Sequence, residues 1–181
     1  MDAMQTEVLV LGAGPGGYAA AFFAADHGKK VTLVEMDERL GGVCLNRGCI
    51  PSKALLHVAK LVDETRESGE IRGVTFAEPK IELAKLREWK MSVITKLSGG
   101  ITQLAKGRGV EVVHGRGYFE DSNTLRVETA KGQQFIKFKK AILAVGSKPA
   151  MPAAFDLGNK RIMDSTGALE LEELPKKLLV V

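Results

Sequence analysis

The sequence predicts an α/β fold, a Rossmann-like doubly wound parallel sheet with a small antiparallel β-meander and a long helical excursion. Three observations carry that reading. Residues 7–11 and 31–35 are short apolar runs separated by an Ala-rich segment at 14–26, the pattern of strand, helix, strand, which closes into a parallel pair through a right-handed crossover. Gly12, Ala13, Gly14, Pro15, Gly16 and Gly17 spell GxGxxG at the point where the first strand passes into the helix. Beyond residue 110 the apolar period drops to two, with turn residues at Asn123 and at Lys131 and Gly132.

The elements follow in order. Helix formers with Leu55, Val58, Ala59 and Val62 on one face predict a helix over 51–67, ending at Ser68 and Gly69. A second, longer pattern over 81–105 places Leu83, Leu86, Val93, Leu97, Ile101 and Leu104 near one stripe, read as a packing face, with Gly99 and Gly100 as a weak point. Strands are expected at 110–113, 125–128, 135–138 and 141–145, the last ending in Gly146, with the meander packed on the parallel sheet. Past Pro149 and Pro152 the chain reads as loop until an apolar run at 178–181, expected to begin a buried strand. The expected division is a dinucleotide-binding domain over 1–150 and a connector over 151–181 leading into a further strand.

Composition excludes several function classes. With 45% apolar residues in 181, the chain can bury one good core. A net charge of +4 is spread over alternating acids and bases in short runs, which argues against nucleic acid as a partner. Residues 1–5 contain Asp2 and no base, unlike a signal peptide, and the longest tight apolar stretch, 18–25, is too short to span a bilayer. A soluble, cytoplasmic protein is expected. In that setting the two cysteines favour redox or catalytic use over a structural scaffold.

The glycine turn has separable jobs. Gly12 permits the tight turn, Gly14 admits a pyrophosphate to the backbone, and Gly17 lets helix and strand pack closely, while the helix N-terminus offers free N–H groups to phosphate. Glu35 closes the second strand, where a carboxylate accepts hydrogen bonds from ribose hydroxyls.

Cys44 and Cys49 lie five residues apart, shortly after that turn. A regular helix would separate them by about 7.5 Å of rise, beyond the roughly 7 Å limit for bridging Cα atoms, so a disulfide requires a break, which Gly48 can supply. Pro51 suits the first turn of a helix, placing Cys49 near a helix N-terminus that favours a thiolate, with Lys53 four residues on along the same face. Two buried, inert thiols are the other reading of this pair. Gly41, Gly42 and Gly48, which packing alone does not explain, favour the redox one. Nicotinamide yields a hydride whereas a disulfide opens by attack at sulfur, and a flavin bridges the two, so FAD is favoured over NAD at this turn. His27, His57 and His114 read as structural, and none stands at metal-ligand spacing from the cysteines.

On the segment GGVCLNRGCIPSKALLH, together with the GxGxxG turn, the sequence resembles the pyridine nucleotide-disulfide oxidoreductases, and the likeness runs over the whole chain. Ser52 with Ala54, Leu55 and Leu56 resembles the branch that oxidises dihydrolipoamide; the mercuric reductases share much of the segment and remain the close rival. The resemblance implies a flavin-dependent enzyme converting dihydrolipoamide to lipoamide with NAD through FAD and a Cys44/Cys49 redox disulfide. It makes Cys44 the interchange thiol, Cys49 the thiol that contacts the flavin in a charge-transfer complex, and Lys53 a neighbour of the flavin ring. The implied cofactor contacts are Gly12, Gly14, Pro15, Gly16, Gly17, Glu35, Met36, Gly42, Val43, Cys44, Lys53, Gly117, Val145, Gly146 and Ser147. Gly117 would meet the adenine end. Val145 stands where the family commonly has threonine, so that contact would be through backbone.

The resemblance further implies a homodimer when complete, and a lipoyl domain of a 2-oxo acid dehydrogenase complex or glycine cleavage system as partner. No nucleic acid, membrane or metal is implied. The family's NAD domain, its second FAD contact and its interface domain with a His and Glu base are expected outside residues 1–181, leaving an N-terminal portion that is inactive alone. The alternatives are a stand-alone flavin or thiol electron-transfer module without an NAD site, and a catalytically dead scaffold.

Overall fold

The computed structural model describes residues 3–181. The chain opens with β1 (Met4–Leu11), α1 (Pro15–Asp26) and β2 (Val31–Glu35), then α2 (Gly42–Arg47), α3 (Cys49–Arg72) and α4 (Leu83–Gly107). It continues with β3 (Glu111–His114), β4 (Arg116–Phe119), β5 (Thr124–Thr129), β6 (Gly132–Leu143) and α5 (Ser165–Glu170). The strands form one sheet in the order β3-β2-β1-β6-β5-β4. From β3 to β6 the pairing is parallel, and from β6 to β4 it is antiparallel. The expected mixed α/β architecture is therefore present.

Two compact units divide the chain. The first comprises Met1–Asn46 and Thr95–Lys148, and the second Arg47–Ile94 and Pro149–Val181. The first unit holds the whole sheet. Its core gathers Leu9, Val34, Val113, Leu125, Val127, Ile136 and Phe138, so residues of the meander and of the parallel strands share one apolar cluster. In the second unit, α5 is capped at its start by Asp164, whose carboxylate accepts the Gly167 N–H at 2.9 Å. At its far end the Leu171 carbonyl accepts from Arg87 Nη1 at 3.0 Å and the Leu169 carbonyl from the buried Lys90 ammonium.

The structure corrects the sequence reading at several elements. The expected strands at 135–138 and 141–145 are one strand, β6, which ends at Leu143 and changes partner midway: it pairs antiparallel with β5 at its start and parallel with β1 at its end. Lys139 and Lys140 look like a break, but on a strand they stand in solvent, and Lys139 faces Glu7 at 3.8 Å. α3 runs on past Ser68 and Gly69 to Arg72 and stops at Gly73, whose φ of +70° is the left-handed cap that ends helices. Single glycines inside a long helix cost only about 1 kcal/mol, which explains why neither Gly69 nor the Gly99 and Gly100 pair ends one.

The buried line along α4 is Lys90, Ile94, Ser98, Ile101 and Ala105, whereas Leu97 and Leu104 of the expected stripe are exposed. The short elements α2, β4 and α5 have too few apolar repeats to show periodicity. Residues 178–181 form no strand and are exposed, because a strand is stable only when its backbone groups are paired, and these four residues pair with none of the described strands.

Candidate functional site

The dinucleotide turn is built where β1 gives way to α1. The Gly12 N–H donates to the Val34 carbonyl at 2.8 Å, with φ at +97°, and a Cβ there would stand 2.3 Å from the Ala144 carbonyl oxygen. A Cβ on Gly17 would stand 1.7 Å from the Gly12 carbonyl oxygen. These two positions thus admit only hydrogen, and the gain is close apposition of α1, β1 and the segment after β6. Gly14 is the N-cap of α1 in extended conformation with Pro15 next, and neither a side-chain cap nor an acidic residue occupies the first turn. A helix start without a capping side chain or an acidic residue is one that suits an anion.

Glu35 is buried at 6% exposure and ties the turn to the loop after β2. Its Oε2 accepts the Ala13 N–H at 2.7 Å and its Oε1 the Asp37 N–H at 3.0 Å. A carboxylate has about four acceptor positions, so ribose hydroxyls could still be served after these two. The bracing role was invisible in the sequence, because Ala13 and Asp37 offer only backbone. His114 joins the same frame: its Nδ1 lies 2.9 Å from the Asp37 carbonyl, so the ring donates there and holds the loop. The Gly115 N–H donates to the Glu35 carbonyl at 2.8 Å, bringing the strand that carries Gly117 alongside.

The thiol segment is seated directly on this turn. The Gly41 N–H donates to the Ala13 carbonyl at 2.9 Å, and a Cβ on Gly42, whose φ is +59°, would stand 2.6 Å from the Gly14 Cα. Backbone therefore lies on backbone between the dinucleotide turn and the residues that lead into Cys44. The Leu40 carbonyl just upstream is held by the buried Ser98 hydroxyl at 2.9 Å.

Of the expected contacts, Gly12, Gly14, Gly17, Glu35 and Gly42 come together in the first unit. Pro15 and Gly16 lie exposed at the helix start, and the side chains of Met36 and Val43 are also exposed. Val145, Gly146 and Ser147 follow the end of β6, where the Ala144 N–H donates to the Leu11 carbonyl at 2.8 Å. Cys44 lies half-buried on α2 within the first unit. Cys49 is the first residue of α3 in the second unit, exposed, with Lys53 exposed one turn further on. Gly48 is the N-cap of α3 and interrupts the helical run between the two cysteines. Gly41 was singled out in the sequence as half of a Gly-Gly pair but not as a contact, whereas Ala13, Asn46, Ser98 and Ala144 were given no role and carry no signal in residue type. Among the described residues no cluster of His, Cys, Asp and Glu could hold a metal, and no helix is long and apolar enough to cross a membrane.

The family model described as pyridine nucleotide-disulphide oxidoreductase matches residues 6–181. A dihydrolipoyl dehydrogenase of Geobacillus stearothermophilus is 51% identical over 179 residues, which cover 99% of this chain and 37% of the relative. One of Vibrio cholerae is 48% identical over 178 residues, covering 98% of this chain and 37% of the relative. Among solved structures, the HOCl-induced flavoprotein disulfide reductase RclA of Escherichia coli superposes with a TM-score of 0.76 at 26% identity, covering 93% of this chain and 35% of that one. The chain thus spans a little over a third of the length of the relatives it matches.

Proposed function

The chain belongs to the pyridine nucleotide-disulphide oxidoreductases, and on that premise we propose that it is the N-terminal, FAD-binding part of an enzyme that oxidises dihydrolipoamide to lipoamide with NAD. The observation that carries this reading is the seating of Gly42 on Gly14, which puts the Cys44 segment against a dinucleotide turn rather than elsewhere on the surface. Identity near 50% with dihydrolipoyl dehydrogenases supports the lipoamide branch over the mercuric reductases.

In this proposal the N–H groups of Gly14, Gly16 and Gly17 hold the FAD pyrophosphate at a first turn whose start Pro15 fixes, with Glu35 and Met36 at the ribose end and Gly117 at the adenine. Gly42, Val43, Val145, Gly146 and Ser147 flank the cofactor, and Cys44 and Lys53 complete the set. FAD, when bound, supplies the two-electron relay between sulfur and nicotinamide. The chain's own chemistry is thiol exchange. With Cys44 and Cys49 joined, a lipoyl thiolate attacks the Cys44 sulfur, the Cys44–Cys49 bond breaks, and Cys49 leaves as thiolate. The second lipoyl thiol then displaces Cys44, so that lipoamide leaves as a disulfide and two electrons remain on the cysteine pair. Those electrons pass on to NAD.

The NAD site is assigned beyond residues 1–181, since this sequence contains no second GxGxxG turn. A cytoplasmic location, a homodimer and the lipoyl domain of a 2-oxo acid complex or glycine cleavage system as partner belong to the same proposal for the complete protein. It is tested by following NADH formation from dihydrolipoamide and NAD. The complete protein should turn over and the 181-residue chain should not; a complete protein that binds FAD yet leaves dihydrolipoamide untouched would refute the assignment.

A further inference from the structure

Asn46 stands two residues after Cys44 and was given no role by the sequence reading. Its Nδ2 faces three backbone carbonyls, Gly42 at 3.1 Å, Leu40 at 3.4 Å and Arg39 at 3.5 Å. Three acceptors converging on one nitrogen fix which way the amide points, because an oxygen there would meet only other oxygens. The two amide protons therefore tie both ends of the turn that precedes Cys44: Arg39 and Leu40 before the glycine pair, Gly42 at the start of α2. Ser98 grips the same Leu40 carbonyl, and Gly41 is anchored to Ala13, so the turn is held from three directions.

The other half of the amide makes a separate point. Asn46 Oδ1 is buried and has no hydrogen-bond partner. A buried acceptor without a partner is unfavourable by about 1–3 kcal/mol, so stability alone does not explain an amide here. Its donors do: they hold Gly42 in its left-handed conformation against Gly14, and Cys44 is anchored two residues beyond Gly42 on the same short helix.

We propose that Asn46 is a positioning residue for the Cys44 thiol, clamping the Arg39–Gly42 turn so that Cys44 stays half-buried on α2. The functional weight of the clamp rests on the reading of Cys44 as a redox thiol, but its existence does not, and the test keeps the two apart. The rate of Cys44 alkylation by iodoacetamide is measured across pH in the complete, reduced protein with Cys49→Ser as background, using peptide mass spectrometry to isolate Cys44. Urea unfolding is recorded for every variant.

Asn46→Leu, which keeps bulk and removes the donors, should raise the Cys44 rate about fivefold under native conditions, the equivalent of one lost hydrogen bond. Asn46→Gln, which retains an amide, should recover part of the protection. If Asn46→Leu does not fold, Asn46→Asp, which keeps the shape and loses the donors, takes its place with the same expectation. An unchanged Cys44 rate would overturn the proposal, and so would rates that rise only in proportion to the globally unfolded fraction. Loss of the redox reading would instead show as lipoamide turnover surviving Cys44→Ser, a result that leaves the alkylation data untouched.

Discussion

The turn glycines at positions 16 and 17 are adjacent on α1 and should respond oppositely to the same substitution. An alanine at 17 would place its Cβ 1.7 Å from the Gly12 carbonyl oxygen, against an ordinary carbon–oxygen contact of about 3.3–3.6 Å. Helix α1 would have to retreat by about 1.5–2 Å from the end of β1, pulling the fully buried Ala21 from its packing. Overpacking of this kind costs about 1–3 kcal/mol, occasionally more, and the better helix propensity of alanine returns at most about 1. A net loss of about 2 kcal/mol lowers the Tm of a chain this size by about 4–8 °C. At Gly16 nothing lies within 4 Å of the added methyl, so Gly16→Ala should leave the fold unharmed or raise Tm by about 1–4 °C. Far-UV circular dichroism melts of the cofactor-free chain measure both. A Gly17→Ala variant that melts with the parent would refute the close helix–strand contact on which the whole turn depends.

Further outcomes follow from other groups. Glu35→Ala leaves the Ala13 N–H without its acceptor and should destabilise the turn by about 1–3 kcal/mol, with FAD affinity, read by flavin fluorescence quenching, falling at least tenfold. The Glu7 carboxyl is held below its ordinary pKa by the Lys30 backbone N–H first and by the Lys29 charge next. A depressed carboxyl stabilises the fold above its unfolded pKa and loses that effect as pH falls through the folded value. Glu7→Gln should therefore be less stable than the parent in urea at neutral pH, with the difference vanishing in acid. Cys44→Ser and Cys49→Ser in the complete protein should each abolish lipoamide turnover while FAD stays bound, which absorbance and NADH assays check together.

Much of the fold could be read from local pattern. β1, α1 and β2 announce themselves through an apolar run, an alanine stretch and glycines at fixed offsets, each signal local in sequence. The same holds for the helix break at Gly48 and the hairpin turn at Gly132. What escaped is of two kinds. Continuity of β6 across Lys139 and Lys140 depends on pairing with β1, some 130 residues away in sequence, which no window of the chain contains. The braces of the site, Glu35 to Ala13, Ser98 to Leu40 and Asn46 to Gly42, are side chains bonding to backbone, and a backbone acceptor leaves no trace in residue type. The glycines that line the site were legible because they are needed for space; the polar side chains that hold it were not.

Under the proposed function Cys44 and Cys49 are a redox pair served by a flavin on the Gly12–Gly17 turn. The most direct test is anaerobic titration of the complete flavoprotein with dihydrolipoamide, followed at long visible wavelengths and by counting alkylatable thiols in residues 44–49. One equivalent should convert the pair from no reactive thiol to two and raise an absorption band of thiolate against flavin that Cys49→Ser lacks. Both thiols reactive before any reductant is added, with no new band on titration, would contradict it.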